Sequence, residues 1–290
     1  MTNSSHEDFV SWRDMIVRVT EQVGERTVAK WLCEHASGCD AEEFAEVLDE
    51  LVSERAGEHL RAMIERLGNG EPLQYVMGRW SFRHLDLLID ERVLIPRPET
   101  ELLVDIAKKH LESIQRPMTI VDLGTGSGAI GLSLLFELPL ESATVYMTDA
   151  SEDALHVARA NAAGIGRPST GARFGNGSWY EALPIELRGT VHAIVSNPPY
   201  IADGDPEVGE SVLQWEPHHA LFAGPDGLND VRTIVNEAHD WLIPGGFLAL
   251  EMGYTQGNAV AEIFSSAGFS NITVHKDLAG LDRFVSGIAR

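Results

Sequence analysis

The 290-residue chain carries 44 acidic against 22 basic residues, a formal net charge of −22, and no Lys/Arg run is visible to reverse that locally. A surface this acidic repels phosphate backbones and anionic lipid, which excludes duplex DNA as a default partner. An apolar content of 44% supports one large or two smaller cores, and Cys33 and Cys39 do not stand at zinc spacing; with a polar Met1–Asp8 and no apolar run of membrane length, this predicts a soluble protein of a reducing compartment, the cytoplasm.

Residues 6 to about 68 read as helices only. Phe9, Trp12, Ile16, Val19 and Val23 recur at three- and four-residue steps and make one apolar stripe. Val28, Trp31, Leu32 and His35 continue it in a second helix, where Cys33 reads as a small core residue. Asp40 followed by Glu43 is a helix-starting cap, and Phe44, Val47, Leu48 and Leu51 give a third stripe. Leu60, Met63, Ile64 and Leu67 supply a fourth, ended by Gly68-Asn69-Gly70. Residues 1–70 hold 15 acidic and 7 basic side chains. Their plain reading is a small bundle with solvated charged faces, and their functional reading is a partner-docking domain.

Residues 71–97 read as an extended linker with a hairpin around Phe82 to Ile89 and Val93 to Ile95. Pro96-Arg97-Pro98 cannot sit in a helix interior, so the next helix begins at Glu99 or Thr100. From residue 118 the pattern alternates between strand and helix. Strands are expected at Thr119–Leu123, Thr144–Thr148, Ala193–Ser196 and Phe247–Glu251, with a weaker one at Ala172–Phe174. Helices are expected at 127–138, 151–163, 228–242 and 256–267. This alternation predicts an α/β domain with a parallel sheet covered on both faces. Ile272–His275 and Arg283–Ile288 leave no room for a helix between them, which predicts an antiparallel hairpin at the sheet edge.

The first of these strands runs straight into Gly124-Thr125-Gly126-Ser127-Gly128. Glycines permit a sharp turn and close approach of a ligand to the backbone, although a plain strand–helix turn has the same look. Asp149 ends the next strand, where a ribose diol would be held, and Ser151 is the better candidate to cap the following helix. The turn alone leaves nicotinamide and adenosylmethionine ligands both open, since Gly131 can be pressed into a dinucleotide pattern. Trp179 reads either as an adenine neighbour or as a core aromatic. His218-His219 reads as loop, and Glu251 ends a strand near the site.

Asn197-Pro198-Pro199-Tyr200 discriminates between the ligands. Asn-Pro is a common strand-ending turn, but two prolines remove two N–H donors and stiffen the corner. The Asn197 side-chain oxygen and the Pro198 carbonyl then form a rigid pair of acceptors suited to an –NH2 group, with Tyr200 as a flat face beside it. Holding both N–H groups would aim a poorly nucleophilic nitrogen at a sulfonium methyl, and the hydrogen bonds would strengthen as the nitrogen gains charge. No metal is implied. A DNA adenine methyltransferase would want a basic cleft and a recognition insert, a dehydrogenase would leave this tetrapeptide unexplained, and a non-catalytic adenosylmethionine-binding module would not need it.

Further stretches carry a family resemblance: Gly70 to Tyr75 with Gly78, Leu94 to Glu101, Asp122 to Gly128, Ser196 to Ile201, Glu216-Pro217 with Ala220-Leu221, Gly224 to Leu228, and Asp277 to Gly280 with Arg283. Over residues 70–290 the chain resembles the HemK/PrmC glutamine methyltransferases of peptide chain release factors. The resemblance implies a Rossmann-like class I methyltransferase domain over 98–290 with a mostly parallel seven-stranded sheet, a linker over 71–97 and a small helical bundle over 1–70. It implies S-adenosyl-L-methionine at Gly124, Thr125, Gly126, Ser127, Gly128, Asp149, Trp179 and Asn197, and no metal. It implies substrate contacts at Asn197, Pro198, Pro199 and Tyr200, with Asn197, Pro198 and Tyr200 catalytic. The implied substrate is the glutamine of the Gly-Gly-Gln loop of class I release factors; no membrane or nucleic-acid partner is expected. The glutamine methyltransferases of ribosomal proteins share the tetrapeptide. One departure is Ser178, where the family often has Asp.

Overall fold

A computed structural model describes residues 10–290, so Phe9 of the first expected stripe lies outside the described residues. The chain divides into two compact units at Gly78/Arg79.

The first unit comprises α1 (Trp12–Val23), α2 (Arg26–Ser37), α3 (Ala41–Glu46), α4 (Glu54–Gly68) and α5 (Leu73–Met77). Trp12, Ile16 and Val19 of α1 pack with Leu32, Phe44, Leu60 and Met63 in one core, and each large side chain so buried contributes about 2 kcal/mol. The cap at α3 forms as expected, with Asp40 accepting from Glu42 and Glu43 N–H groups while the Glu43 carboxylate accepts from Asp40 N–H. Two stripes differ from expectation. In α2 the buried positions are Ala29, Leu32, Cys33 and Ala36, and Trp31 is exposed, because small residues let the helices approach and carry little weight in an apolar pattern. The third helix stops at Glu46. The Leu48 and Glu50 carbonyls instead accept the Arg13 and Trp12 N–H groups at 2.8 and 3.1 Å, satisfying donors that the first turn of α1 leaves over.

In the second unit, β1 (Arg79–Phe82) and β2 (Leu85–Leu88) form an antiparallel hairpin, which corrects the expected pairing of 82–89 with 93–95. Its two-residue turn puts Arg83 at φ +53°. No Asn-Gly marks that turn; Arg83 is held by tertiary partners instead, donating from its backbone to Glu101 and pairing through its guanidinium with Asp105 and Glu137. Val93 and Ile95 are buried and belong to neither strand of this hairpin; the Val93 N–H goes to the Asp90 carbonyl at 3.1 Å and the Ile95 N–H to the Glu216 carboxylate at 3.3 Å.

After a 3-10 turn at Pro98–Thr100 come α6 (Glu101–Leu111), β3 (Met118–Leu123), α7 (Ala129–Glu137), β4 (Ala143–Asp149), α8 (Glu152–Ile165) and β5 (Ala172–Asn176). They are followed by β6 (Val191–Ser196), α9 (Glu210–Trp215), α10 (Asn229–Glu237), β7 (Leu242–Glu251), α11 (Gly257–Ser266), β8 (Ser270–Lys276) and β9 (Asp282–Ile288). The seven strands run in the order β5-β4-β3-β6-β7-β9-β8. The first five are parallel, and β9 is antiparallel to both neighbours. Strands β3 and β6 are almost wholly buried, as a sheet covered on both faces demands. The expected tail hairpin forms, but its second strand lies inside and β8 takes the edge. Helix α10 ends five residues short of the expected 242, because Leu242 already begins β7.

Candidate active site

From β3 the chain winds outward to β4 and β5, then returns to lay β6 along the other side of β3. That reversal opens a crevice at the carboxyl ends of β3 and β6, where ligands bind in such sheets. Leu123 and Ser196 are register partners, and the Ser196 hydroxyl donates to the Leu123 carbonyl at 2.6 Å. The glycine loop and Asn197 therefore leave adjacent strand ends side by side.

A cleft of about 240 Å³ is lined by Gly124, Gly126, Asp149, Trp179, Asp230 and Asn197, among others. Gly124 has φ +67°, and a Cβ there would stand 3.3 Å from the Trp179 ring. Gly126 has φ +55°, and a Cβ would meet nothing within 4 Å, so bare backbone faces the cleft. Asp149 accepts the Gly126 N–H on one oxygen and the Ser151 N–H on the other, both at 2.9 Å, while Ser151 caps α8. Each oxygen keeps a lone pair for a ligand. Burial raises the Asp149 carboxyl above its usual range, partly offset by these two bonds. Trp179 sits at φ +45°, an uncommon conformation for an aromatic residue, and donates from its indole to Asp230 at 3.2 Å. It also packs against the main core while lining the cleft.

Three residues of the glycine loop are engaged by protein groups around them. Thr125 donates its hydroxyl to buried Asp122 at 2.6 Å and its N–H to the Thr148 carbonyl at 2.8 Å. Ser127 is buried, and its carbonyl accepts from Asn161 at 2.9 Å. A Cβ on Gly128 would stand 2.7 Å from Leu132. Their atoms shape the loop and are not among the cleft-lining residues. Asp122, wholly buried with one oxygen unpaired, has its carboxyl pushed up to about 7 by desolvation.

A second cavity of about 620 Å³ is lined by Asn197, Pro198, Tyr200, Arg97, Tyr254 and Arg283, among others, while Pro199 lines the first. Asn197, Leu94 and Ala220 line both, so the tetrapeptide stands where the two meet. The Asn197 amide N–H donates to the Thr100 hydroxyl at 3.4 Å, and Thr100 donates to the Glu251 carboxylate at 2.6 Å. Tyr200 donates its phenol to the other Glu251 oxygen at 3.3 Å, and its carbonyl accepts from Gln256 at 2.9 Å. Among the described residues, no hydrogen bond reaches Asn197 Oδ1 or the Pro198 carbonyl. Burial raises the Tyr200 phenol and takes the Glu251 carboxyl to about 7.

Sequence reasoning missed Thr100, Asp230, Gln256 and Asn161, whose partners lie far along the chain. His219 lines the first cleft, where only a loop was expected. No cluster of three or more metal-holding side chains occurs among the described residues, and no described helix is long and apolar enough to cross a membrane.

The residues present suit an adenosyl ligand: a carboxylate at a strand tip for a diol, an aromatic ring, and open backbone at a glycine. This fold and site define a class I S-adenosylmethionine-dependent methyltransferase. Residues 17–78 match the PrmC N-terminal domain model and residues 98–220 the methyltransferase small domain model. The release factor glutamine methyltransferase of Burkholderia pseudomallei is 41% identical over 89% of this chain and 90% of its own length. That of Xylella fastidiosa (strain Temecula1) is 39% identical over 94% and 96%. The chain belongs to the release factor glutamine methyltransferase family. The fold is also that of the T. thermophilus 16S rRNA N2 G1207 methyltransferase, at TM-score 0.50 and 19% identity over 73% of this chain and 50% of that one.

Proposed function

We propose that this enzyme methylates the side-chain amide nitrogen of the glutamine in the Gly-Gly-Gln loop of class I peptide chain release factors, in the cytoplasm. The observation that carries the reading is the pair of unengaged acceptors, Asn197 Oδ1 and the Pro198 carbonyl: Asn197 lines both cavities and Pro198 lines the larger one. When bound, S-adenosylmethionine supplies a methyl group on a positively charged sulfur. Asp149 would hold its ribose diol and Trp179 its adenine, while Gly124 and Gly126 would let it approach the backbone closely. Asn197 and Pro198 each accept one N–H of the substrate amide, which removes its rotational freedom and turns the nitrogen toward the first cleft. Both bonds strengthen as the nitrogen gains charge, so the acceptors favour the transition state over the bound amide. Tyr200 walls the amide on the side of the larger cavity. The helical unit up to Gly78 serves in this reading to dock the protein substrate.

The test is mass spectrometry of purified release factor and of a ribosomal protein substrate after incubation with enzyme and S-adenosylmethionine. One methylene unit is expected on the Gly-Gly-Gln peptide alone. Asn197→Ala is expected to cost at least about a hundredfold in kcat while sparing the fold. Methylation of the ribosomal protein instead would refute the substrate, and an active Asn197→Ala enzyme would refute the role.

A further inference from the structure

An Asn side chain offers an oxygen on one side and an –NH2 on the other, and the two present opposite chemistry to a substrate. Only the oxygen can hold a substrate N–H, so something must decide which way the Asn197 amide faces. The Pro198 ring that follows it carries no donor or acceptor that could do so. The groups that reach Asn197 come from elsewhere in the fold. Thr100, at the last position of the turn before α6, is buried and lies 3.4 Å from Asn197 Nδ2. Behind it Glu251, fully buried at the end of β7, takes the Thr100 hydroxyl at 2.6 Å.

A hydroxyl has one proton to give. An ionised carboxylate is acceptor-only, so the Thr100 proton must go to Glu251 and only lone pairs are left toward Asn197. The amide can satisfy those lone pairs with its –NH2 alone, which turns Oδ1 outward. Protonation of Glu251 reverses every step: the carboxylic acid donates to Thr100, Thr100 donates to the amide oxygen, and the –NH2 of Asn197 swings toward the substrate. Two –NH2 groups would then face each other and no hydrogen bond could form. We infer that the charge on Glu251, relayed through Thr100, sets the hydrogen-bonding polarity of Asn197 and thereby positions it as an acceptor.

Thr100 and Glu251 are positioning residues: neither touches substrate in this arrangement. The inference rests on Asn197 Oδ1 being the substrate acceptor. Burial is the main force holding the Glu251 carboxyl at about 7, well above the ordinary carboxylate range. Glu99, beside Thr100, raises it further, whereas Arg283 from β9 and the hydrogen bonds from Thr100 and Tyr200 lower it. Activity should therefore rise as pH climbs through that value and fall below it.

Three variants separate the possibilities. Thr100→Val keeps the shape and removes the relay; kcat is expected to fall at least about tenfold, with the affinity for S-adenosylmethionine unchanged by calorimetry. Thr100→Ser restores the hydroxyl and is expected to restore kcat. Glu251→Gln cannot ionise, yet its carbonyl can accept the Thr100 proton, so the acid limb of the kcat–pH profile should vanish. Full activity in Thr100→Val alongside an inactive Asn197→Ala enzyme would overturn the relay alone. An active Asn197→Ala enzyme would instead remove the acceptor reading itself. Should Thr100→Val lose cofactor binding through misfolding, the pH profile decides: an acid limb that persists in Glu251→Gln overturns the inference.

Discussion

Asn161 is 4% exposed and makes three hydrogen bonds through one amide. Its oxygen accepts the Leu88 N–H at 2.7 Å, and its –NH2 donates to the Leu88 carbonyl at 3.1 Å and the Ser127 carbonyl at 2.9 Å. From α8 it thus completes the open edge of β2 as a neighbouring strand would, and pins the glycine loop at the same time. Asn161→Ala strips partners from three backbone groups. Each group left unmet costs about 1–3 kcal/mol. Water entering the truncated space recovers part of that, so the expected loss is about 3 kcal/mol. In a domain of this size the melting point should drop by about 6–12 °C. Cofactor affinity should fall as well, because the Ser127 carbonyl is released from the turn that sets Gly126. Asn161→Asp is the sharper probe. It matches the native side chain in size but loses both donated bonds and buries a charge, so its loss should equal or exceed that of Asn161→Ala. Thermal melts and calorimetric titration with S-adenosylmethionine measure both effects. A neutral Asn161→Asp variant would mean the side chain merely fills space, and the account of the loop would be wrong.

Three further substitutions, one of them a control, test other joints. Gly227 has φ +70°, and a Cβ there would stand 2.2 Å from the Tyr200 carbonyl oxygen, which is backbone and cannot swing aside. Gly227→Ala should therefore displace Tyr200, cutting kcat more than about tenfold with little change in cofactor affinity. Gly204→Ala is the control, since φ is +76° but nothing lies within 4 Å; it should cost only about 1 kcal/mol of backbone strain and leave kcat alone. At Glu137 the Arg83 guanidinium first, with Lys108 in support, holds the carboxyl down to about 2. Its side chain is 7% exposed, and Glu137→Gln should lower stability by about 2 kcal/mol at neutral pH. A depressed carboxylate stabilises only where it is ionised in the fold, so the difference between Glu137→Gln and native protein should shrink as pH drops from about 4.5 toward 2. A gap that stays constant with pH in chemical denaturation would contradict the ion-pair account.

These joints also mark where the sequence stops being readable. The five parallel strands are legible because burial on both faces demands unbroken apolar runs, and Val121, Val145 and Ile194 supply them. The glycine loop and the Asn-Pro-Pro-Tyr corner are legible because proline and positive-φ glycine act within a few residues of themselves. What a glycine-rich string conceals is which of its residues face the ligand. The sequence does not tell that the Thr125 hydroxyl goes to the buried Asp122 carboxylate or that the Ser127 carbonyl is held by Asn161. The hairpin at Arg83 is hidden for a related reason: its turn is held by Glu101 and Glu137, 18 and 54 residues away, and by no local turn signature. Asn197 joins both kinds of information. Its place at the corner follows from its two prolines, but the direction of its amide depends on Thr100, 97 residues earlier, and on Glu251, a further 151 residues from Thr100. A motif search can find the acceptor atom, and only the folded contact between β7 and the turn before α6 can decide that it is an acceptor.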